Sequence, residues 1–412
     1  MVETQEIELR GHIIDSGIMM QLMDRVMDMG GNFEILVFDV GKKKTDTSYA
    51  RLRIGASGKE KLHAILSEVH RLGARPVEVK DVHLVPAEAD RVVPKGFYTT
   101  SNHPTQVKYN GEWIPVGAIE MDFLIVVDPS GKRATAMPLG KICKGNLVVV
   151  GEQGVSVNYP ERPREQSSFE FMHGTVSSER PSETLIAQIA KEILEVRKKG
   201  GKIALVGGPA IIHTGADKAL AELIRKGYID VLFAGNALPT HDIEYNLYGT
   251  SLGMDINTGK PVMGGHKHHL YAISEIMRAG SIRKAVDKGV IKGGIMYECI
   301  KGNVPFVLAG SIRDDGPLPD VIQDVMVAQD AMRKHISGCS MVLMVATLLH
   351  SIAVGNCLPS SVKTICVDIN PAHVTKLMDR GTTQAIGVVS DAGTFLPLLA
   401  RQLEIQGAGS KK

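Results

Sequence analysis

Side chains that could transfer protons follow the second strand of a βαβ pattern in residues 202–244. The pattern of these residues predicts a strand, a glycine turn, a helix and a second strand, followed by a polar loop that contains His241 and Asp242. Ligands of parallel sheets lie beyond the carboxyl ends of the strands, so both side chains would face a ligand. Imidazole and carboxyl groups are common general acids and bases. We therefore predict that His241 and Asp242 are catalytic.

A second group of candidates lies in the segment GGHKHH, residues 264–269. Its imidazoles could bind zinc, but no carboxylate or cysteine lies at a matching helical spacing, so we predict no metal site. A glycine-hinged loop that presents Lys267 to an anion, or imidazoles to a proton transfer, is the stronger interpretation. A solvated or helix-capping role stays open. We predict Lys267 as a third catalytic residue, and charge alone would let His241 and Lys267 exchange roles.

Small and polar residues follow the other apolar runs of the C-terminal half, where a nucleotide would bind. Small residues let the backbone approach a phosphate, and carboxylates can accept hydrogen bonds from ribose hydroxyls. Asp368 is the sharpest case, because it follows a strand and precedes a helix; helix capping is the open alternative for it and for Asp314. The predicted nucleotide-binding residues are Asn236, Ala237, Asp314, Ala346, Thr347, Leu348, Asp368, Ile369, Ser390 and Asp391.

The glycine turn that follows the first strand of the βαβ pattern is not a dinucleotide fingerprint. GGPAIIHTG does not fit G-x-G-x-x-G, which predicts a nucleotide held differently from that of an ordinary dehydrogenase. His213 lies at the opening of the following helix, where a ligand contact and a structural role are equally expected. Asn102 and His103 lie in SNHPT, an unusual sequence for a protein core. We predict substrate contacts for Asn102, His103 and His213.

The elements that must position these residues fall into four predicted parts. Residues 1–85 have the βαββαβ order of a ferredoxin-like α+β sandwich, and residues 86–157 indicate a small β domain that contains a polar, aromatic loop at 96–113. Residues 158–183 are rich in proline and charge and indicate a linker. In residues 184–412 strands alternate with helices, which predicts a doubly wound parallel sheet. The apolar run at 338–357 is expected to be a buried helix of this sheet domain.

Composition excludes several classes of function. The chain of 412 residues has 47 basic and 45 acidic residues, so charge gives no reason to expect nucleic acid or an anionic membrane as a partner. We find no stretch of ~18 apolar residues that would predict a membrane-spanning helix. Five cysteines without a C-x-x-C motif argue against a disulfide framework and favour a cytoplasmic location.

Long motifs throughout the chain resemble a known enzyme family. The run GHIIDSGIMMQLMDRVMDMGGNFEILVFDVGKKKTDTSYARLRI resembles the conserved domain of lysine-oxoglutarate reductase/saccharopine dehydrogenase (LOR/SDH) bifunctional enzymes. SNHPTQV, GGPAIIHTGAD, AGNALPTHDIE, GGHKHHLYAISEIMRAGSI, GSIRDDGPLPDV and VVSDAGTF resemble the archaeal alternative ornithine cyclodeaminase family. A similar module forms the C-terminal part of cyanobacterial arginine dihydrolase/ornithine cyclodeaminases.

The resemblance implies a fold, a cofactor and a reaction. It implies a dinucleotide domain like that of deoxyhypusine synthase, with tightly bound NAD that is used and regenerated in one turnover. L-Ornithine would become L-proline and ammonia by an internal NAD+/NADH hydride cycle, through an imine and 1-pyrroline-2-carboxylate. We also expect a homo-oligomer. An NAD-dependent saccharopine-type dehydrogenase and a non-catalytic amino-acid sensor remain the alternatives.

Overall fold

The computed structural model describes residues 2–14, 16–43, 46–77, 80–158, 182–255, 258, 260, 262–263, 265–312, 314, 316–380 and 385–409. The chain divides into two compact units, Met1–Gly174 and Thr175–Lys412. The predicted linker at 158–183 lies outside the described residues except for residues 158, 182 and 183. The division into four parts at residues 85, 157 and 183 stays a prediction.

The N-terminal unit begins with an antiparallel sheet covered by two helices. Its elements are β1 (Val2–Gly11), α1 (Ile18–Asp28), β2 (Asn32–Asp39), β3 (Ser48–Ser57), α2 (Lys59–Arg71) and β4 (Arg75–Pro76). The strand order β2-β3-β1-β4 confirms the predicted ferredoxin-like arrangement. Alternate residues of β3, such as Leu52 and Ile54, are buried against Leu22 and Ile65 of the two helices, as the period-2 pattern of a half-buried strand requires.

A second sheet completes the N-terminal unit. Its strands are β5 (His83–Pro86), β6 (Thr105–Tyr109), β7 (Glu112–Gly117), β8 (Leu124–Val127), β9 (Ala134–Met137), β10 (Leu147–Val150) and β11 (Val155–Val157), with a 3-10 turn at Leu139–Lys141. The strand order is β11-β6-β7-β9-β8-β10-β5.

Two predictions in the N-terminal unit are wrong in detail. The last strand of the βαββαβ order predicted for residues 1–85 is divided, because β4 pairs with β1 of the first sheet whereas β5 pairs with β10 of the second. The loop expected at 96–113 contains β6 and the start of β7, joined by Asn110 and Gly111. Both residues have positive φ (52° and 79°), and Asn-Gly is the preferred pair for such a two-residue hairpin turn.

The C-terminal unit is built around a parallel sheet. Its strands are β12 (Lys202–Gly207), β13 (Val231–Gly235), β16 (Phe306–Ala309), β17 (Val321–Ile322), β18 (Cys339–Val345), β19 (Lys363–Asp368) and β20 (Ala385–Val389), and a small hairpin consists of β14 (Thr250–Ser251) and β15 (Met254–Asp255). The helices are α3 (Ser182–Lys198), α4 (Ala210–His213), α5 (Asp217–Arg225), α6 (Ala237–Tyr248), α7 (His268–Ala279), α8 (Ile282–Asp287), α9 (Ile295–Lys301), α10 (Val325–Ile336), α11 (Leu349–Asn356), α12 (Pro371–Arg380) and α13 (Ala392–Gly409), and a 3-10 turn spans Gly265–Lys267.

The strand order of this sheet confirms a doubly wound fold. The order is β17-β16-β13-β12-β18-β19-β20, so the chain starts at β12, proceeds to one edge, and returns to the other side of β12 at β18. Alternate residues of each strand enter two different cores. Leu205 and Leu343 pack in one core, and Val206 and Met344 pack in the other. Helices therefore cover both faces, as expected for parallel strands.

Two predictions in the C-terminal unit are wrong. The apolar run at 338–357 is a strand followed by a helix, β18 and α11, rather than one helix. The polar loop that was expected to carry His241 and Asp242 is the helix α6. Residues Leu238 to Glu244 of α6 are all buried, so the helix lacks the amphipathic pattern by which a surface helix is recognised.

Candidate active site

The order in which strands are added to the sheet reverses between β12 and β18, and the residues that follow these two strands pack closely together. The amide of Gly208 donates to the carbonyl of Val345 (3.0 Å) just beyond the strand ends. A Cβ atom on Gly208 would lie 1.9 Å from the carbonyl oxygen of Ala346, so only glycine fits. Ala346 itself has a φ of 54°, a costly conformation for a residue with a Cβ. Such switch points are where ligands bind in open α/β sheets.

Two histidines meet beside this edge of the sheet. His213 ends α4, which follows β12, and His241 lies in α6, which follows β13. Their ring centroids are 4.9 Å apart in an edge-to-face arrangement. A third ring, that of His269 in α7, has its centroid 6.4 Å from that of His241. The structure therefore brings together two predicted site residues that are 28 positions apart in the sequence.

A buried glutamate holds His241 in place. Nδ1 of His241 lies 2.8 Å from Oε2 of Glu244, three residues further along α6. The Glu244 side chain is fully buried. It also accepts hydrogen bonds from the Thr250 hydroxyl (3.0 Å) and from the backbone amides of Leu252 (3.2 Å) and Gly253 (3.1 Å). A carboxylate with this many donors is ionised and acts only as an acceptor, so Nδ1 of His241 carries the proton and Nε2 is the free base position.

The donors to Glu244 come from the turn of the β14–β15 hairpin. Leu252 and Gly253 form this turn with positive φ values of 52° and 73°, which points successive amides toward one carboxylate. A Cβ atom on Gly265 would lie 2.4 Å from the carbonyl oxygen of Gly253, so Gly265 packs directly on the turn. The Thr250 hydroxyl also lies 2.8 Å from Nδ1 of His268.

Burial and hydrogen bonding set the charges of the cluster. Burial alone would raise the pKa of Glu244, but the bonds from His241, Gly253 and Thr250 outweigh it and lower the pKa below its usual value. Burial, together with the proximity of His241, lowers the pKa of His213 to about 4. His213 is therefore neutral at pH 7, and its Nδ1 is 2.7 Å from the Ser251 hydroxyl.

Asp242 has surroundings that differ from those predicted for a catalytic acid. Its side chain is fully buried, and its two oxygens accept from the backbone amides of Ile295 (2.9 Å) and Met296 (2.8 Å) at the start of α9. Burial raises the pKa of Asp242 to about 7, although these two hydrogen bonds oppose the increase. The adjacent position on a helix points about 100° away from His241. We therefore assign Asp242 the role of anchoring α9 rather than that of a catalytic group.

The predicted nucleotide-binding residues lie at the carboxyl ends of the strands, and several have structural partners. Asn236 accepts from the amide of Leu318 (3.0 Å), and Asp391 accepts from the amide of Gly393 (2.6 Å). Asp314 accepts from the amide and hydroxyl of Ser311. Ala237, Thr347, Leu348, Ile369 and Ser390 adjoin these strand ends, and Ile369 is 69% exposed.

Asp368 keeps one oxygen available for a ligand. At the end of β19, its Oδ1 accepts from the amide of Asn370 (2.8 Å) and lies 3.3 Å from Nδ1 of His373. Within the described residues, these contacts leave Oδ2 for a hydroxyl donor. The same residue thus forms the turn before α12, the predicted alternative, and retains capacity to bind ribose.

The other three predicted residues lie on other segments of the chain. Lys267 is exposed on the 3-10 turn, one residue before α7. Asn102 and His103 belong to the N-terminal unit, where both are buried. Burial lowers the pKa of His103, which favours its neutral form. The side chain of His266 lies outside the described residues, and no group of three metal-binding side chains is found in the described part of the chain.

Sequence reasoning missed the groups that hold the histidines. Glu244, Thr250 and Ser251 were not among the predicted site residues. Glu244 lies within hydrogen-bond distance of His241, and Ser251 within that of His213. Thr250 donates to Glu244 and lies close to Nδ1 of His268. A signal was present in HDIE, since His241 and Glu244 are three residues apart and would share a face if the segment were helical.

Comparisons with known proteins agree with this architecture. A family model described as the LOR/SDH bifunctional enzyme conserved region matches residues 4–103. Two models of the C-terminal part of ArgZ-like arginine dihydrolases match residues 104–186 (first region) and 187–399 (Rossmann fold). In addition, no helix among the described residues has the length and apolar character needed to cross a membrane.

Named relatives cover nearly the whole chain. Ornithine cyclodeaminase of Methanopyrus kandleri is 60% identical over 406 residues, which are 98% of each chain. Apo ArgZ, an arginine dihydrolase from cyanobacteria, is 41% identical with a TM-score of 0.86, covering 98% of this chain and 59% of that one. The complex of AgrE with ornithine and NAD+ is 43% identical with a TM-score of 0.55, covering 99% and 58%. The chain therefore belongs to the archaeal ornithine cyclodeaminase family, which shares its LOR/SDH region and Rossmann-fold region with ArgZ and AgrE.

Proposed function

We propose that this protein is an NAD-dependent ornithine cyclodeaminase, which converts L-ornithine to L-proline and ammonia. The observation that carries the proposal is the His241–Glu244 pair next to neutral His213, located where the parallel sheet ends. The chain is also 60% identical to the ornithine cyclodeaminase of Methanopyrus kandleri, whose name states this reaction. A saccharopine-type dehydrogenase or an amino-acid sensor has no comparable support.

The reaction requires two protons to be removed and returned. The α-ammonium and the δ-ammonium of ornithine must each lose a proton, the first before hydride leaves Cα and the second before the δ-nitrogen attacks C2. Ammonia then leaves as the C2–N bond to the α-nitrogen breaks, and hydride returns to C2 of the cyclic imine. One proton returns to departing ammonia and one to the ring nitrogen of proline. A base that receives and returns protons in the same turnover suits this sequence.

His241 fits the role of that base. Its Nδ1 is committed to Glu244, so Nε2 is the position that accepts a proton. The fixed negative charge of Glu244 stabilises the imidazolium that forms. His213 fits a different role, because its neutral ring can accept a hydrogen bond from a substrate ammonium without adding positive charge beside it. This assignment keeps His241 and His213 as site residues and replaces Asp242 by Glu244.

The residues at the strand ends fit a dinucleotide. When bound, NAD supplies the acceptor for the Cα hydride and the donor that returns it to C2. Oδ2 of Asp368 can accept from a ribose hydroxyl. Asn236 precedes α6, whose N-terminus has no side-chain cap among the described residues, so its amides suit a phosphate. We retain Ala237, Asp314, Ala346, Thr347, Leu348, Ile369, Ser390 and Asp391 as the remaining contacts with NAD.

Other residues are proposed to hold the substrate. We assign the ornithine carboxylate to Lys267, because the exposed amine on the 3-10 turn precedes the helix that carries His268 and His269. Asn102 and His103 remain candidate substrate contacts from the N-terminal unit. A cytoplasmic location and a homo-oligomer belong to the same proposal, and light scattering of the purified protein would test the second.

One incubation tests the function. Purified protein is given L-ornithine, and proline, ammonia and the absorbance of reduced nicotinamide are followed together. Equal amounts of proline and ammonia without net cofactor reduction are expected. Net reduction without proline would instead identify a dehydrogenase, and unchanged signals with ligand-induced stabilisation would identify a sensor.

A further inference from the structure

The N-terminal unit contains a cleft that the proposed reaction does not use. Its volume is about 660 Å³, within the ~300–1,000 Å³ that is typical of small-molecule sites. The first strand, α2 and the turn between β10 and β11 line it, together with Lys80 and His83. The lining residues come from both sheets of the N-terminal unit, so the cleft lies between those two sheets.

A carboxylate is fixed inside this cleft. Oε1 of Glu152 accepts from the Ser67 hydroxyl (2.6 Å), and its Oε2 lies 3.6 Å from Nδ1 of His70. His70 is only 7% exposed, and burial lowers its pKa despite the nearby carboxylate. The imidazole is therefore mainly neutral at pH 7 and does not cancel the negative charge of Glu152, which lines the cleft.

Cationic groups share the same cleft. Lys80 is exposed and lines it, and so does Arg51. Arg51 binds one oxygen of Glu6 through Nε (2.9 Å) and Nη2 (2.5 Å), and Arg53 binds the other oxygen at 3.0 Å. Arg53 also pairs with Glu34 (2.7 Å), so two carboxylates balance the two guanidinium groups. Lys80 is the remaining cationic group of the cleft, and no carboxylate among the described residues pairs with it.

The two sides are held in a fixed relation by the backbone. The Gln153 side chain donates to the carbonyl of Asp81 (3.1 Å), which joins the turn of Glu152 to the segment of Lys80. A Cβ atom on Gly154 would lie 2.5 Å from the amide nitrogen of Val82, so the two segments pack without space for a side chain. The opposite charges of Glu152 and Lys80 are thus carried by segments in direct contact.

We propose that this cleft binds a free α-amino acid in its zwitterionic form, with the ammonium group on Glu152 and the carboxylate on Lys80. A simple anion would be repelled by Glu152, and a metal cation by Lys80. Leu66, Pro76 and Val77 add an apolar wall suited to the alkyl part of a long side chain. The site does not depend on the proposed function of the C-terminal unit.

Calorimetric titration of the full-length protein with L-arginine tests the site. Arginine has both α-charges and a long side chain. We expect saturable binding, weakened at least about tenfold by Glu152→Gln, since hydrogen bonds to ionised groups are the strong ones. The Gln side chain can still accept from Ser67, so the fold should persist, which circular dichroism would verify. N-Acetyl-L-arginine, which lacks the ammonium group, should not bind.

Two control variants locate the binding. Glu60→Gln removes the same charge from an exposed position of α2 outside the cleft, and it should leave arginine affinity unchanged. Glu244→Gln alters the histidine cluster and should also leave it unchanged. No binding to the parent protein, or equal binding by the Glu152→Gln variant, would overturn the inference. Arginine binding by a protein that makes no proline from ornithine would overturn only the proposed function.

Discussion

Replacing Glu244 by glutamine tests the central pair of the proposed active site. The change preserves the shape of the side chain but substitutes an amide nitrogen for one of two acceptor oxygens. Each oxygen of Glu244 receives one backbone amide, from Gly253 or from Leu252. Either orientation of the glutamine therefore leaves one buried N–H without an acceptor. That loss costs about 1–3 kcal/mol of the free energy of unfolding.

The effect on catalysis should be larger than the effect on stability. A glutamine that presents its amide nitrogen to His241 would move the imidazole proton to Nε2, the position that must accept a proton. General acid–base catalysis contributes roughly 10²–10⁴-fold to rates. We expect kcat for proline formation to fall by about that factor, while NAD affinity stays within about twofold.

The assay compares kcat, KM and NAD affinity of the parent protein and the variant. Glu275→Gln is a matched control, since this glutamate forms a surface ion pair with Arg278 on α7, and surface pairs contribute little. A folded Glu244→Gln variant that keeps kcat within about threefold of the parent would refute the role assigned to His241 and Glu244.

Three further substitutions test the surrounding structure. Because the pKa of Asp242 is raised to about 7, its contribution to stability is complete below pH 3.8 and is lost as the pH rises through about 7. In the parent protein the free energy of urea unfolding should therefore fall by roughly a few kcal/mol between pH 4 and 8, and Asp242→Asn should remove this fall. An unchanged pH dependence in the variant would contradict this. Gly208→Ala should push Ala346 away and weaken NAD binding at least about tenfold in a fluorescence titration, whereas tight binding would show that this turn is not at the cofactor. Asp368→Asn should raise the dissociation constant for NAD about tenfold with little change in the ornithine KM; an unchanged constant would remove Asp368 from the site.

The ends of parallel strands could be located from the sequence, and this is why Asp368 and His241 were predicted as site residues. Each apolar run ends at an identifiable residue, and the fold places those ends on one edge. The helix α6 could not be recognised because it is buried on nearly all sides, which removes the 3.6-residue period of apolar and polar positions. If α6 is interpreted as a loop, the adjacent His241 and Asp242 are equally good acid–base candidates. In the helix the two side chains point in different directions, His241 toward Glu244 and Asp242 toward the start of α9.

Contacts between segments that are distant in the sequence could also not be predicted from it. The hairpin turn that donates to Glu244 contains Leu252 at a φ of 52°, a position where Asn or Gly is usual. No rule of turn preference predicts that leucine would adopt this conformation. It is adopted because the turn amides reach a buried carboxylate, and that interaction compensates for the local strain.

The pKa values of two carboxyl groups in one helix shift in opposite directions, which distinguishes a structural role for Asp242 from the proposed role of Glu244 in positioning His241. Asp242 and Glu244 are both fully buried, so desolvation raises the pKa of each. Asp242 receives two backbone amides at the start of α9, which offset desolvation only in part. Glu244 receives two amides, a hydroxyl and an imidazole, which reverse it. The group that contacts His241 is therefore the one that stays ionised, and an ionised acceptor is what fixes the proton on Nδ1 and leaves Nε2 for the proposed proton transfer.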